Sequence, residues 1–262
     1  MLYEPNEIKI SETQLEKIFK QLESPICLMG GWATYYLVNK NFEKYNGRRY
    51  IGSRDIDIGF HIDKDWTKQQ LEKSKFITSL RAIEKNGFRS ISFRLAKDFD
   101  LDTGRELTEE ESARTPLYRI FRLFIDPVVD HIHPKIKDIL GFVPIDEPFL
   151  SNVFQEKMFT ATKLFGTEVL FPKPHMLLTM KLNSAPHRDK QHKKIKDIAD
   201  IFALLWYSDT KLTQLKEQLN SVCPEKKIKE ALESFSKEDI SRVSAAIGIS
   251  SNEISRVLRE LV

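Results

Sequence analysis

The run Gly52-Ser53-Arg54-Asp55-Ile56-Asp57-Ile58 sets two carboxylates one residue apart among isoleucines, about 20 residues after the glycine pair Gly30-Gly31. On a strand, alternate side chains share a face, so Asp55 and Asp57 point one way while Ile56 and Ile58 enter a core. An acidic pair on one face of an apolar strand suits a hard divalent cation. Cations held this way orient an attacking oxygen and neutralise charge at phosphorus, which is the chemistry of phosphoryl or nucleotidyl transfer. The bland alternative is an exposed strand face, or an Asx-type turn near Gly59; a D-x-D pattern by itself does not exclude it.

A third carboxylate normally comes from a neighbouring strand. Asp126 and Asp130 are the choices, separated by Pro127-Val128-Val129. Asp130 follows two apolar residues and is the expected ligand, while Asp126 stays a rival because Pro127 leaves the register open. Gly30 and Gly31 let backbone amides approach phosphate oxygens at the start of a helix, and Ser53 could add its hydroxyl. Their alternative is a tight strand–helix turn. His131 and His133 flank Ile132 nearby. They read better as strand-end polar residues than as a metal ligand or base, and Asp130 can help deprotonate the acceptor instead.

A second constellation runs from Met180-Lys181-Leu182 through Arg188, Lys190, Lys193, Lys194 and Lys196 to Asp197 and Asp200. Lys193–Asp197 and Lys196–Asp200 are four apart, pairs worth roughly 0.2–0.5 kcal/mol each on a solvated helix face. The functional reading instead sets Lys181 at a triphosphate with Asp197 orienting it, and gives Arg188, Lys190 and Lys193 to phosphate or RNA. Near the C-terminus, Val243 to Leu258 has helix-turn-helix character. Gly248 permits the turn, Ile249, Ile254 and Leu258 fill the core, and Asn252, Ser255, Arg256 and Arg259 could face a major groove. An ordinary helical hairpin is favoured there, since the pair carries only modest positive charge.

The elements that must position these residues follow from periodicity. A helix is expected over 11–23, with Ser11 as cap and Pro25 as stop, then a buried strand at 26–29 and a helix at 32–38. A second amphipathic helix spans 67–85 and a strand 88–95. Residues 96–116 read as a loop or short exposed helix, and 118–132 as a bent or edge strand interrupted by Pro127. This interleaving predicts an α/β domain over 1–150. Helices at 151–165, 174–182, 191–207, 211–219, 225–234, 237–247 and 251–261 predict an α-helical domain over 151–262.

Composition narrows the function. The 262 residues are 41% hydrophobic, enough for a substantial core. Forty-one basic against 38 acidic residues give a net charge of +3, too little for nucleic-acid binding over the whole surface. No stretch approaches the roughly 18 apolar residues of a membrane span, and Glu4, Glu7, Lys9 and Glu12 break any secretory signal pattern. Cys27 and Cys223 are far apart, so a reduced cytoplasmic protein, with no membrane partner, is expected.

Taken together, the motifs resemble the nucleotidyltransferase superfamily, whose signature is a glycine turn followed by a strand bearing D-x-D or D-x-E. Gly30-Gly31-Trp32-Ala33 with Ser53-Arg54-Asp55-Ile56-Asp57, and Lys181 with Lys194, Asp197 and Asp200, resemble the AbiEii-type abortive-infection branch, which is similar to the toxins of type IV toxin–antitoxin systems. The resemblance implies a nucleotidyltransferase-like α/β domain with a mixed β-sheet flanked by helices. It implies Mg2+ (or Mn2+) at Asp55 and Asp57, with Asp130 as the expected third ligand, and an NTP substrate held by Gly30, Gly31, Ser53, Lys181 and Asp197. Asp55, Asp57, Asp130 and Lys181 form the catalytic set. RNA, particularly a tRNA end, is the acceptor suggested by analogy, and a cognate antitoxin the protein partner; DNA ranks lower. The rival readings are a nucleotide-binding regulator that has lost transfer, and a DNA-binding transcriptional regulator using the C-terminal helix pair.

Overall fold

Pro5 takes the first position of the first helix, α1 (Pro5–Phe19), where a missing N–H costs nothing, and the Glu7 carboxylate accepts the Glu4 N–H at 3.1 Å. The protein is described here by a computed structural model covering residues 2–261. Ser11 therefore lies inside α1 and is buried, not at its cap. After β1 (Ile26–Leu28) and α2 (Gly30–Asn46) come β2 (Ile56–Phe60), α3 (Lys68–Glu72) and α4 (Lys75–Lys85). The single helix expected over 67–85 is two, because the Ser74 side chain accepts the Ile77 N–H and starts a new helix.

β3 (Arg89–Ile91) and β4 (Arg94–Asp100) form a hairpin with Ser92-Phe93 at its tip, Ser92 at φ +58°. α5 (Glu109–Arg114) leads to β5 (Ile120–Val129), then α6 (Ile136–Leu140), β6 (Ile145–Asp146), α7 (Leu150–Gln155), β7 (Phe159–Leu164) and β8 (Thr167–Pro172). Among the described residues these strands make one eight-stranded sheet, ordered β3-β4-β5-β2-β1-β8-β7, with β6 also on β5. It is mixed: β2 runs parallel to β5 and β1 to β8, whereas β1–β2 and β4–β5 are antiparallel.

The strand expected over 88–95 is the β3–β4 hairpin, and β4 runs on into the stretch expected as a loop or short exposed helix. Two later segments also differ from expectation. β5 is internal, between β4 and β2. Pro127 is tolerated because it falls beyond the β4 pairs, where β5 exchanges β4 for β6 along that edge. The helix expected over 151–165 is the short α7 followed by the β7–β8 hairpin. β7 lies at the sheet edge with its middle residues exposed, so it lacks the apolar alternation that marks a half-buried strand.

The remaining helices are α8 (Pro174–Ser184), α9 (Gln191–Tyr207), α10 (Leu212–Val222), α11 (Glu225–Glu233), α12 (Lys237–Ile247) and α13 (Ser251–Arg259). The chain is thus a mixed-sheet α/β fold followed by a helical C-terminal region. It divides into two compact units. Residues 3–29 with 53–171 form the sheet unit, and 30–52 with 172–261 form the helical unit. The division differs from a boundary near 150: α2 joins the C-terminal helices, and residues 159–171 complete the sheet. Inside the helical unit α9 packs on α2, α8 and α12, and α8 is buried over most of its length.

Candidate functional site

In the sheet unit, the register of β2 against β5 sets Asp57 beside Asp126, with Ile56 beside Ile125 and Ile58 beside Pro127. Partner residues on parallel strands share a face. Ile56 and Ile58 are fully buried, as alternation requires. Gly59 lets β2 seat closely: a Cβ there would meet Met29 Cγ at 3.1 Å, and Cys27 Sγ and Leu150 Cδ1 at 3.2 Å. The Met29 N–H donates to the Asp57 carbonyl at 2.9 Å, extending the β1–β2 pairing.

The third member of this row is Arg94, one residue beyond the Leu95–Ile125 pair of β4 and β5. Its Nε donates to Asp126 Oδ1 at 2.7 Å and its Nη2 to Asp126 Oδ2, a bidentate contact. The same Nη2 lies 3.6 Å from Asp55 Oδ2. The guanidinium stacks over Phe124 at 4.1 Å and is 14% exposed; the Asp126 side chain is 5% exposed and that of Asp55 20%. Burial disfavours the charged guanidinium, yet the Asp126 bond and the charges of Asp126, Asp55 and Asp57 override it and raise its pKa. Arg94 thus faces three carboxylates.

Asp130, the expected third ligand, is placed elsewhere. Its Oδ1 accepts the Ile62 N–H at 2.8 Å, and Oδ2 lies 2.5 Å from His61 Nδ1. Four residue steps of extended chain separate it from Asp126, about 13 Å. The structure therefore brings Asp55, Asp57 and Asp126 together and leaves Asp130 to orient His61. His133 is tied to backbone, with Nε2 2.8 Å from the Trp66 carbonyl oxygen and Nδ1 accepting the Lys135 N–H at 3.1 Å, while His131 is exposed. Ser53 is buried at 7% exposure.

The three carboxylates are hard oxygen donors, Asp57 and Asp126 paired across β2 and β5 and Asp55 in the bend just before β2, so in type they fit a divalent cation. Among the described residues no three acid, histidine or cysteine side chains already converge on a metal position. Holding a cation requires these carboxylates to turn from Arg94 toward it.

In the helical unit, Gly30 and Gly31 open α2, and Gly30 adopts φ +61°, a left-handed conformation that suits glycine. The expected glycine turn at a helix start is there. Lys181, from α8, is 8% exposed and bound to Asp197 Oδ1 at 3.0 Å and Asp200 Oδ2 at 2.6 Å, both on α9. Asp200 also pairs with Lys196 and accepts the Tyr50 hydroxyl at 2.8 Å. Asp197 also accepts Arg188 Nε at 2.6 Å. Burial alone would lower the Lys181 pKa and raise that of Asp197. The paired charges reverse both, raising Lys181 and holding Asp197 below the usual carboxylate range. Lys196 is shifted down, by burial and by the neighbouring Lys181 charge. The Lys196–Asp200 pair expected on a solvated face is thus part of a buried network.

At the C-terminus, α12 and α13 join through Gly248 at φ +58°, where a Cβ would collide with the Arg48 guanidinium that donates to the Ile247 carbonyl. Ile249, Ile254 and Leu258 are buried as expected. Arg256 stacks on Trp206 at 4.8 Å, so its guanidinium has a neighbour within the protein.

Arg94 and the His61–Asp130 pair went unseen in the sequence. Arg94 falls near the end of the strand expected over 88–95, a position open to solvent or partner alike, and Asp126 is 32 residues away. No helix among the described residues is long and apolar enough to cross a membrane. No protein-family model matches the chain, and no curated protein sequence matches it. Among solved structures the chain is similar to an antigenic nucleotidyltransferase-like protein from Paracoccidioides brasiliensis, at 15% identity over 93% of each chain, with a TM-score of 0.43. A likeness that low carries no functional argument, and the residues must carry it themselves.

Proposed function

We propose that this chain transfers a nucleotidyl group from an NTP to an acceptor, with RNA, a tRNA end in particular, as the acceptor and a toxin-like role in the AbiEii manner. The supporting observation is the β2–β5 register, which sets Asp126 beside Asp57 on the face that Asp55 shares. Asp55, Asp57 and Asp126 would hold Mg2+ or Mn2+, which when bound supplies charge neutralisation at the triphosphate. The roles of Gly30, Gly31, Ser53, Lys181 and Asp197 at the triphosphate rest on the sequence resemblance. In the reaction an acceptor oxygen forms a bond to the α-phosphorus, the bond to the bridging oxygen of the β-phosphate breaks, and pyrophosphate leaves. The acceptor proton passes to a base or to water.

The test is transfer of label from each of the four α-labelled NTPs to cellular RNA and protein. Label entering either class with wild type, and lost with Asp57→Asn, supports the reading. Nucleotide binding with no label in any acceptor class overturns it and favours a second reading, in which the protein binds nucleotide without transferring it. The contact of Arg94 with Asp126 and Asp55 is the observation that favours this second reading.

A further inference from the structure

We propose that Arg94 is a resident counter-ion of the acid row that competes with a divalent cation for the same carboxylates, so that cation entry and the Arg94–Asp126 contact exclude one another. This rests on the reading that Asp55, Asp57 and Asp126 hold a cation. The two Asp126 oxygens are both engaged by Arg94, at Nε and Nη2, and Nη2 also reaches to 3.6 Å from Asp55 Oδ2. A cation drawing on Asp126 and Asp55 would need the same oxygens and would face a fixed positive charge at hydrogen-bond range. Like charges held that close repel strongly in a partly buried setting. The guanidinium sits over the Phe124 ring at 4.1 Å, and a ring face can carry it after its carboxylates turn away. Cation affinity in this protein is therefore set by the arginine on β4 as well as by the three acids.

The experiment measures Mn2+ binding to the full chain by calorimetry, with melting curves in parallel, for wild type, Arg94→Gln, Arg94→Lys, Asp57→Asn and Asp126→Asn. Arg94→Gln should bind Mn2+ about tenfold tighter than wild type or better, the size of effect expected on removing a neighbouring positive charge. Its melting temperature should be lower without Mn2+ and rise more on adding it. Arg94→Lys keeps the charge and loses the fork, so it should fall between the two and serves if the glutamine variant does not fold. Equal or weaker Mn2+ binding in the folded arginine variants, with weakening in Asp57→Asn and Asp126→Asn, overturns the competition alone. Undiminished Mn2+ binding in both aspartate variants overturns the metal reading beneath it.

Discussion

The acid row of the sheet and the Lys181 network of the helices use similar side chains to opposite ends. In the network, Asp197 and Asp200 each take two cations, from Lys181, Lys196 and Arg188, and the two aspartates and both lysines are buried. In the row, Arg94 faces three carboxylates, two of them set by strand register, and the cluster is still partly open to solvent. A matched, sealed cluster is a structural device whose loss leaves charges stranded. A cluster at a partly open face can exchange its cation. The contrast sets a cluster buried within the helices against the row that the proposed function gives to a cation.

The largest effect expected is on activity. Asp57→Asn should cut label transfer by about a hundredfold or more, the scale of losing a charge-stabilising group in the transition state, while its urea midpoint stays near wild type. Asp200→Ala should do the reverse to stability, costing about 3–5 kcal/mol because Lys181 and Lys196 are left buried with one fewer partner; urea unfolding reads it directly. Equal stability losses in these two variants would break the comparison.

A pH series sharpens it. The Asp197 carboxyl is held low in the folded state, so it contributes stability above the ordinary aspartate value of about 4, which is lost as pH falls through the depressed folded value. Asp197→Asn should flatten the acid limb of the stability profile. Glu147 in the sheet unit has the opposite sign: burial pushes its pKa up to about 6. Its contribution is present below the ordinary value and lost as pH rises through 6, so Glu147→Gln should gain up to about 2 kcal/mol of stability at neutral pH relative to wild type. The smallest effect expected is at the C-terminus. With Arg256 stacked on Trp206, changing Arg256 and Arg259 should alter duplex-DNA retention little at physiological salt, measured by a salt-titrated binding assay.

What sequence could convey followed the range of the interactions. The glycine turn and the D-x-D strand are local in type and spacing; the turn forms where expected, and the strand carries Asp57 while Asp55 sits in the bend just before it. The choice between Asp126 and Asp130 depends on how β5 aligns with β2, a non-local matter that no spacing encodes, and Pro127 made β5 read as a bent or edge strand when it lies inside the sheet. Arg94 was invisible for the same reason. β7 was read as helix because an exposed edge strand such as Phe159–Leu164 has no buried face to impose a period of two. The break between α3 and α4 hangs on one hydroxyl, Ser74, within an otherwise continuous apolar stripe.

The position of Arg94 immediately after the Ser92-Phe93 tip of the β3–β4 hairpin has a dynamic consequence. The end of a hairpin opens at far lower free energy than the body of a sheet. Arg94 can swing out with the tip while Ile56–Ile125 and Asp57–Asp126 stay paired. Amide exchange should then be fast at residues 92–94 and slow along β2 and β5, and a cation that releases Arg94 should quicken the former while leaving the latter unchanged.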